Sequence, residues 1–368
     1  MNARSGKATT SAIALVVAIL ALGVAAFAVY KRDVAPNYAS VDEQDQLYRR
    51  MTGVDSQQAK NSLDARYTDA NGDLIADAPT DASKQIDPPT LTFGYLSGVN
   101  DGEFLTAFQG LMDAISQATG KPVQYRGFDT VDGQLEALRD GKLHIAGLST
   151  GAVPIGVCTA GFVPLVQLGD SSGAAGYHMQ IIAPSDSSLT KLADIKGHTI
   201  TLTEPNSNSG YKAPLVVLRE NGLKPPTDYQ IIYSQGQTQS IEGIKNKRFQ
   251  VAAVAGDVLK REINLGHIAA NDFKPVYESS ELFPGAAIGY AHNLKPDLAA
   301  KIKAAIMAYD FKGTNLEKEF AAEGKTKFAP TDYQKDWQYV RRIDESVGFQ
   351  YVLKAAPASQ PATQPAAE

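Results

Sequence analysis

The sequence predicts an α/β protein of two similar lobes, and three observations carry that prediction. Gln134-Leu-Glu-Ala-Leu-Arg-Asp-Gly-Lys-Leu-His-Ile-Ala146 returns as Ser240-Ile-Glu-Gly-Ile-Lys-Asn-Lys-Arg-Phe-Gln-Val-Ala252, 106 positions on (134 to 240). Each copy reads as an amphipathic helix, a basic turn and an apolar strand. Each ends at a small-residue loop, Ser149-Thr150-Gly151 in one and Ala255-Gly256-Asp257 in the other. Small molecules bind beyond the carboxyl ends of strands in open α/β sheets, so two such lobes face to face make a cleft.

Around the repeat the apolar spacing alternates between strand and helix periods. Leu91 to Leu96 reads as a strand, and Phe104, Phe108, Leu111, Met112 and Ile115 fall on one helical face. Further strands are expected at Val123 to Phe128, Met179 to Ala183, His198 to Thr203, Gln230 to Tyr233 and Val251 to Val254, with a helix at Ala213 to Asn221. Amphipathic helices at Leu298 to Tyr309 and Tyr333 to Val347 follow the second copy, which implies that the chain returns to complete the first lobe.

The amino terminus has a different character. From Ala8 to Tyr30 the chain is uncharged and apolar, with Arg4 and Lys7 before it and Lys31-Arg32 after it. That run is long enough to span a membrane, and the positive end keeps the terminus cytoplasmic and exports the rest. Residues 1–32 are therefore an anchor or a signal segment. Ala26-Phe27-Ala28 offers a cleavage site, whereas the length of the run and the basic pair behind it favour a retained anchor. Residues 33–89 are polar, end in Asp87-Pro88-Pro89 and suit a linker or stalk. Asp69-Ala-Asn71-Gly-Asp73 with Asp77 resembles the start of a calcium loop, but it lacks glycine at the sixth position and glutamate at the twelfth, so a solvated turn is the better reading. The Ala/Pro tail, 355–368, reads as disordered.

Composition excludes several functions. A net charge of −5 and a pI near 5.6 leave no basic footprint for nucleic acid. The single cysteine, Cys158, lies in an apolar stretch and reads as a core residue, and no intramolecular disulfide can form. His144, His178, His198, His267 and His292 are scattered without ligand spacing, and no activated nucleophile is signalled, so neither an enzyme nor a cofactor or metal site is expected.

The clearest binding motif is Thr203-Glu-Pro-Asn-Ser207-Asn208-Ser209-Gly210, between a β-branched strand and a helix. Backbone N–H groups at a helix start, with serine hydroxyls and the macrodipole, can hold an oxyanion without a cationic side chain. Ser207 or Ser209 serving only as the helix cap is the equally simple alternative. Ser149 and Thr150 offer a second cradle with the same ambiguity. Tyr95 and Tyr177, near strand ends, combine an aromatic wall with a hydroxyl, or pack a hinge.

Phe93-Gly-Tyr95, Glu136-Ala-Leu-Arg-Asp-Gly-Lys142, Gly176-Tyr177-His178, Asp194-Ile-Lys-Gly197, Pro205-Asn-Ser-Asn-Ser-Gly210 and Phe283-Pro284-Gly285, in that order, resemble the phosphonate-binding (PhnD-type) substrate-binding proteins of ABC transporters over roughly residues 90 to 310. The resemblance implies a bilobal type II periplasmic-binding-protein fold, with lobe 1 from 90–176 and 282–354, lobe 2 from 177–281, and two crossing strands as hinge. It implies a phosphorus oxyanion as ligand, an ABC permease in the membrane as partner, and Ser207, Asn208 and Ser209 as the run that grips the oxygens. The departures bear on specificity. Val131 and Leu148 stand where the family has tyrosines, Gln237 where it has histidine, and Asp257 matches, one methylene shorter, the carboxylate that meets a ligand amino group. A second carboxylate is replaced by Ala286, which makes phosphate, phosphite or a simple phosphonate at least as fitting as an aminoalkyl ligand. A membrane-tethered sensor of the same fold, or a binder of another anion such as a sulfonate, is the alternative.

Overall fold

The structure, a computed structural model, describes residues 37–51, 61–96, 101–234 and 236–353. The apolar run Ala8–Tyr30 and the 355–368 tail lie outside the described residues, and among those described no helix is long and apolar enough to cross a membrane. Two compact units are present. The first, Met1–Tyr38, contributes the short extended piece β1 (Asn37–Tyr38), and the second, Ala39–Glu368, carries all the other elements.

In chain order these are α1 (Val41–Met51), β2 (Leu91–Tyr95), α2 (Asp101–Thr119), β3 (Val123–Tyr125), α3 (Val131–Arg139), β4 (Ile145–Leu148), α4 (Val153–Ala160), β5 (Phe162–Asp170) and β6 (Gly173–Ala174). Next come β7 (Met179–Pro184), β8 (Thr199–Leu202), α5 (Ala213–Glu220), β9 (Gln230–Tyr233), α6 (Gln237–Lys245), β10 (Val251–Ala255), α7 (Gly256–Asn264) and β11 (Phe273–Glu278). The chain closes with β12 (Ala287–Ala291), α8 (Pro296–Ala308), α9 (Asn315–Phe320), β13 (Lys327–Pro330), α10 (Tyr333–Asp336) and α11 (Gln338–Ser346).

Two mixed sheets result. The first runs β13-β5-β12-β4-β2-β3, with β6 paired to β5, and the second contains β9-β8-β10-β7-β11. In each, three strands are parallel with the earliest in the middle: Phe93 pairs with Tyr125 and Ile145, and Ile200 with Ile231 and Val251. Such strands need both faces covered, and every residue of β2, β4 and β10 is buried. The helical face expected on α2 is the buried one, from Phe104 to Ile115. The late segments β12 and β13 do return to the first sheet.

The internal repeat is reproduced residue for residue. Helices α3 and α6 start at 131 and 237 and end at 139 and 245. Their cap residues, Asp140 and Asn246, share φ −84° with ψ 5° and 6°. The N–H groups of Lys142 and Leu143 both donate to the Ala137 carbonyl, and those of Arg248 and Phe249 to Gly243. Between them the chain turns left-handed, through Gly141 (φ 68°) in one copy and Lys247 (φ 55°) in the other. A lysine there costs about 1 kcal/mol that glycine does not.

The expected stalk is not a stalk where it is described. Helix α1 buries Leu47 and Gln44, and the Ala39 N–H donates to the Ile231 carbonyl at 3.0 Å. Further on, the Asp64 N–H donates to the Cys158 carbonyl at 2.9 Å, Tyr67 meets the His292 ring edge-on at 4.8 Å, and Ile86 bridges Leu294. Asp87 sits between Lys121 (2.8 Å) and Lys295 (3.0 Å). The segment is polar on average, but Leu63, Ile75, Ala76 and Ile86 each find the core. In the Asp69–Asp77 loop the carboxylates accept backbone N–H groups of Ala70, Gly72, Asp73, Leu74 and Ile75, and no metal-holding cluster is present among the described residues. The expected last helix is broken at the fully buried Trp337 into α10 and α11. Cys158 is buried, and burial pushes its thiol up to about 12.

His144, at the foot of β4, is buried, and its Nδ1 accepts the Thr92 N–H at 2.9 Å. Burial holds the imidazole below its ordinary pKa, with a backbone contact at Gly141 opposing in part. The folded chain therefore resists a proton that the unfolded chain takes up near pH 6.5, so stability is present above that pH and falls as pH drops below it. Replacing His144→Gln, which keeps an acceptor for Thr92, is expected to flatten the slope of unfolding free energy between pH 7 and 5 by at most about 1.4 kcal/mol per pH unit. Urea titrations across that range read this directly, and an unchanged slope would contradict it.

A second buried group ties the two sheets together. A π turn, Asn208–Lys212, leads into α5, and the Lys212 Nζ reaches Asp344 of α11 at 2.8 Å with both side chains fully buried. The same ammonium donates to the Gly151 carbonyl at 3.2 Å and lies 4.5 Å over the Phe349 ring, while the Tyr351 hydroxyl donates to Asp344 at 2.7 Å. Burial raises the Asp344 pKa and the lysine opposes it. Asp344→Asn strands the ammonium and is expected to lower stability by about 3 kcal/mol, whereas Lys212→Met combined with Asp344→Leu costs less than the single change. Equal or greater loss in the double variant, measured by urea unfolding, would refute the pairing.

Candidate functional site

The site is built where the loops at the strand ends of the two sheets meet. The Asn206–Gly210 loop follows β8, and the Ser149–Gly151 loop follows β4. A Cβ on Gly151 would lie 2.0 Å from the Asn206 carbonyl oxygen, so only glycine allows this approach. Gly210 is similarly constrained, since a Cβ there would lie 2.1 Å from the Thr203 Oγ1.

Ser207 is the cap of the π turn, its Oγ accepting the Gly210 N–H at 3.1 Å. That satisfies the capping alternative for Ser207 without emptying the loop of donors. Gln237, at the start of α6, donates from Nε2 to the hydroxyls of Ser207 and Ser209, each at 3.4 Å, and its Oε1 accepts the Ala255 N–H at 2.8 Å. One amide thus fastens the serine loop to the loop that opens α7. Asn208 is 2% exposed, yet among the described residues neither polar atom of its amide makes a well-formed hydrogen bond, the Tyr177 hydroxyl being its polar neighbour. A buried amide left unmatched is costly, and the Thr203 hydroxyl of the same motif is likewise buried without a partner among the described residues.

At the loop after β4, the Tyr177 hydroxyl lies 3.2 Å from the Thr150 Oγ1, which itself donates to the Pro284 carbonyl at 2.7 Å. Trp337 Nε1 holds the Thr150 carbonyl at 2.9 Å. Burial raises the Tyr177 pKa and the Asp257 charge adds to it, while Ser209, Thr150 and Asn208 pull the other way. The hydroxyl therefore sits among groups from both loops. Tyr177 also pairs with Phe283, N–H to carbonyl in both directions, so it packs the crossing strands as well as facing the loops. Ser149 contributes its carbonyl to the start of α4, accepting from Ala152 and Val153.

Asp257, in the first turn of α7, is not free. Its Oδ2 lies 2.9 Å from the Lys325 Nζ, and that ammonium lies 2.5 Å from Glu323. Burial works against the lysine's charge, but Asp257 and Glu323 outweigh it and raise its pKa. Burial raises that of Glu323, with Lys325 opposing. Tyr95 ends in the same place: its ring packs against Phe104, Phe108 and Phe320, and burial first, then its charged neighbours, govern the hydroxyl, whose pKa is raised. Tyr95 is thus an aromatic core residue with its polar end at the Asp257 cluster.

All nine expected residues fall in two adjoining patches, the Ser149/Thr150/Tyr177/Ser207/Asn208/Ser209/Gln237 group and the Asp257/Tyr95 group. Sequence reasoning missed Lys212 and Lys325. Lys212 left a signal, a lone cation opening the apolar run Ala213–Leu218, whereas Lys325 stands in a Gly-Lys-Thr-Lys turn that reads as solvated. Glu204 was missed too; burial raises its pKa, and its Oε2 accepts the Asn206 N–H at 2.7 Å. A cavity of about 430 Å³ lies elsewhere, against the acidic Asp69–Asp77 loop, with Asp73, Asp77, Tyr290, His292 and Lys303 among its walls.

Comparison with known proteins agrees with this architecture. The phosphate-import protein PhnD of Mycolicibacterium smegmatis is 25% identical over 261 residues, 68% of this chain and 80% of that one. Among solved structures, the binding protein component of an ABC phosphonate transporter of Pseudomonas aeruginosa is 24% identical with a TM-score of 0.61, covering 70% of this chain and 86% of that one. PhnD1 of Prochlorococcus marinus, solved in complex with methylphosphonate, is 13% identical with a TM-score of 0.62, covering 72% and 100%. These likenesses give the type II periplasmic-binding-protein fold with its two mixed sheets. The family model for the periplasmic substrate-binding protein of phosphonate ABC transporters matches residues 93–337. The chain belongs to that family, whose members are binding proteins rather than enzymes.

Proposed function

We propose that the protein is the extracytoplasmic solute-binding subunit of an ABC importer, held at the membrane by Ala8–Tyr30. Its lobes, 90–176 with 282–354 and 177–281, close over a small phosphorus oxyanion and present it to the permease. The observation that carries this reading is the Asn208 amide, buried without a well-formed hydrogen bond between Ser207 and Ser209 at a helix start. Its NH₂ suits the oxygens of a tetrahedral anion and its carbonyl suits a protonated one. The macrodipole and the serine hydroxyls add neutral donors, so no arginine or metal is required. The ligand contacts both lobes only when they are closed, and that differential affinity shifts the population toward the form a permease can recognise. The import of phosphate by the Mycolicibacterium relative is consistent with such a ligand.

Calorimetric titration of the exported region with phosphate, phosphite, methylphosphonate, 2-aminoethylphosphonate and taurine tests the reading. Heat from at least one phosphorus compound is expected, and silence from all of them would overturn it. Ser207→Ala with Ser209→Ala is expected to weaken that binding by roughly 2 kcal/mol or more, because ligand oxygens lose donors in a desolvated site. Since Ser207 is also a cap, the variant's melting curve should accompany the titration; a folded variant with an unchanged Kd would refute the assignment.

A further inference from the structure

Besides Glu204, which the Asn206 N–H holds within its own loop, the proposed site has a second carboxylate beside it, that of Asp257, and the chain neutralises this one with a cation of its own. Asp257 comes from α7, beside the second sheet, and Lys325 from the turn before β13 of the first. Their 2.9 Å contact therefore joins the two lobes, and Glu323 completes the ammonium's surroundings at 2.5 Å. The lysine side chain is 7% exposed, the Glu323 side chain 6% and the Asp257 side chain 18%. The cluster adjoins the oxyanion patch, because Gln237, which donates to the hydroxyls of Ser207 and Ser209, accepts the N–H of Ala255, two residues before Asp257.

We infer that Lys325 is a specificity-determining residue: its ammonium fills, against Asp257, the position a ligand ammonium would take, so that the solutes admitted are phosphorus oxyanions without an amino group. The inference rests on the oxyanion reading above and narrows it. An aminoalkyl ligand would have to displace Lys325 from Asp257, and a buried ammonium that loses a carboxylate partner is left incompletely paired. The discrimination arises from exclusion, since one cation already occupies the carboxylate that a second would need. A ligand with a hydrogen or a methyl group in place of the aminoalkyl arm makes no such demand.

The test compares methylphosphonate with 2-aminoethylphosphonate on the wild type, on Lys325→Met and on Lys325→Met with Glu323→Gln. The double variant leaves one carboxylate, Asp257, and so avoids two unpaired buried acids should the single variant fold poorly. The wild type is expected to bind methylphosphonate at least about tenfold more tightly than the amine, and the variants to shift that ratio at least about tenfold toward the amine. Methylphosphonate binding with the same ratio in wild type and folded double variant overturns the role of Lys325 alone. Wild-type preference for the amine does so too. Silence of the wild type toward both probes, phosphate and phosphite overturns the oxyanion reading and this inference with it.

Discussion

The arrangement depends on a close backbone approach. Because Gly151 has no side chain, the loop after β4 lies against the Asn206 carbonyl, and residues from the two sheets come within hydrogen-bond distance. Thr150 then meets Tyr177, and the Lys212 ammonium can reach the Gly151 carbonyl. A methyl group at that one position would push the loops apart and separate groups that the fold otherwise assembles. Strand ends supply the loops, but the absence of a single Cβ lets them touch.

Two buried ion pairs also cross between the sheets. Lys212 with Asp344 and Lys325 with Asp257 are pairs in which each partner is carried by a different part of the fold, and Glu323, in the same turn as Lys325, adds a local partner to the second. Buried ion pairs of this kind add little net stability compared with apolar packing, but a displaced partner is severely penalised. They therefore define register. The two halves have one arrangement in which these buried pairs are matched, and sliding or twisting away from it exposes the cost at once. Arg261, reaching from α7 to Glu319 of α9, extends the same pattern toward the surface.

The parts of this fold legible in the sequence were those with local periodicity. The repeat placed α3 and α6 correctly because each helix closes with the same doubled bond to one carbonyl, a geometry that depends on neighbours in sequence. The parallel strands followed from their apolar runs. The antiparallel additions β5, β12 and β13 were less accessible, since pairing across more than a hundred residues leaves no local trace. The region before Leu91 misled for a related reason: its few apolar residues are too widely spaced to show a period, yet Leu47, Leu63, Ile75 and Ile86 reach the core. At the site, Ser207, Asn208 and Ser209 announced themselves by composition, whereas Lys325 derives its meaning from Asp257, 68 positions away.

The packing of residues 61–89 also fixes where the folded body begins. Asp87 neutralises Lys121 and Lys295 together, Ile86 extends the edge at Leu294, and Asn61 grips the Phe349 carbonyl near the other end of the chain. A fragment trimmed to the first long strand would discard the carboxylate shared by two lysines and bare the apolar seam beneath Tyr67. The smallest autonomous piece of this molecule is accordingly larger than its recognisable family region, and its upstream border lies at or before Asn61.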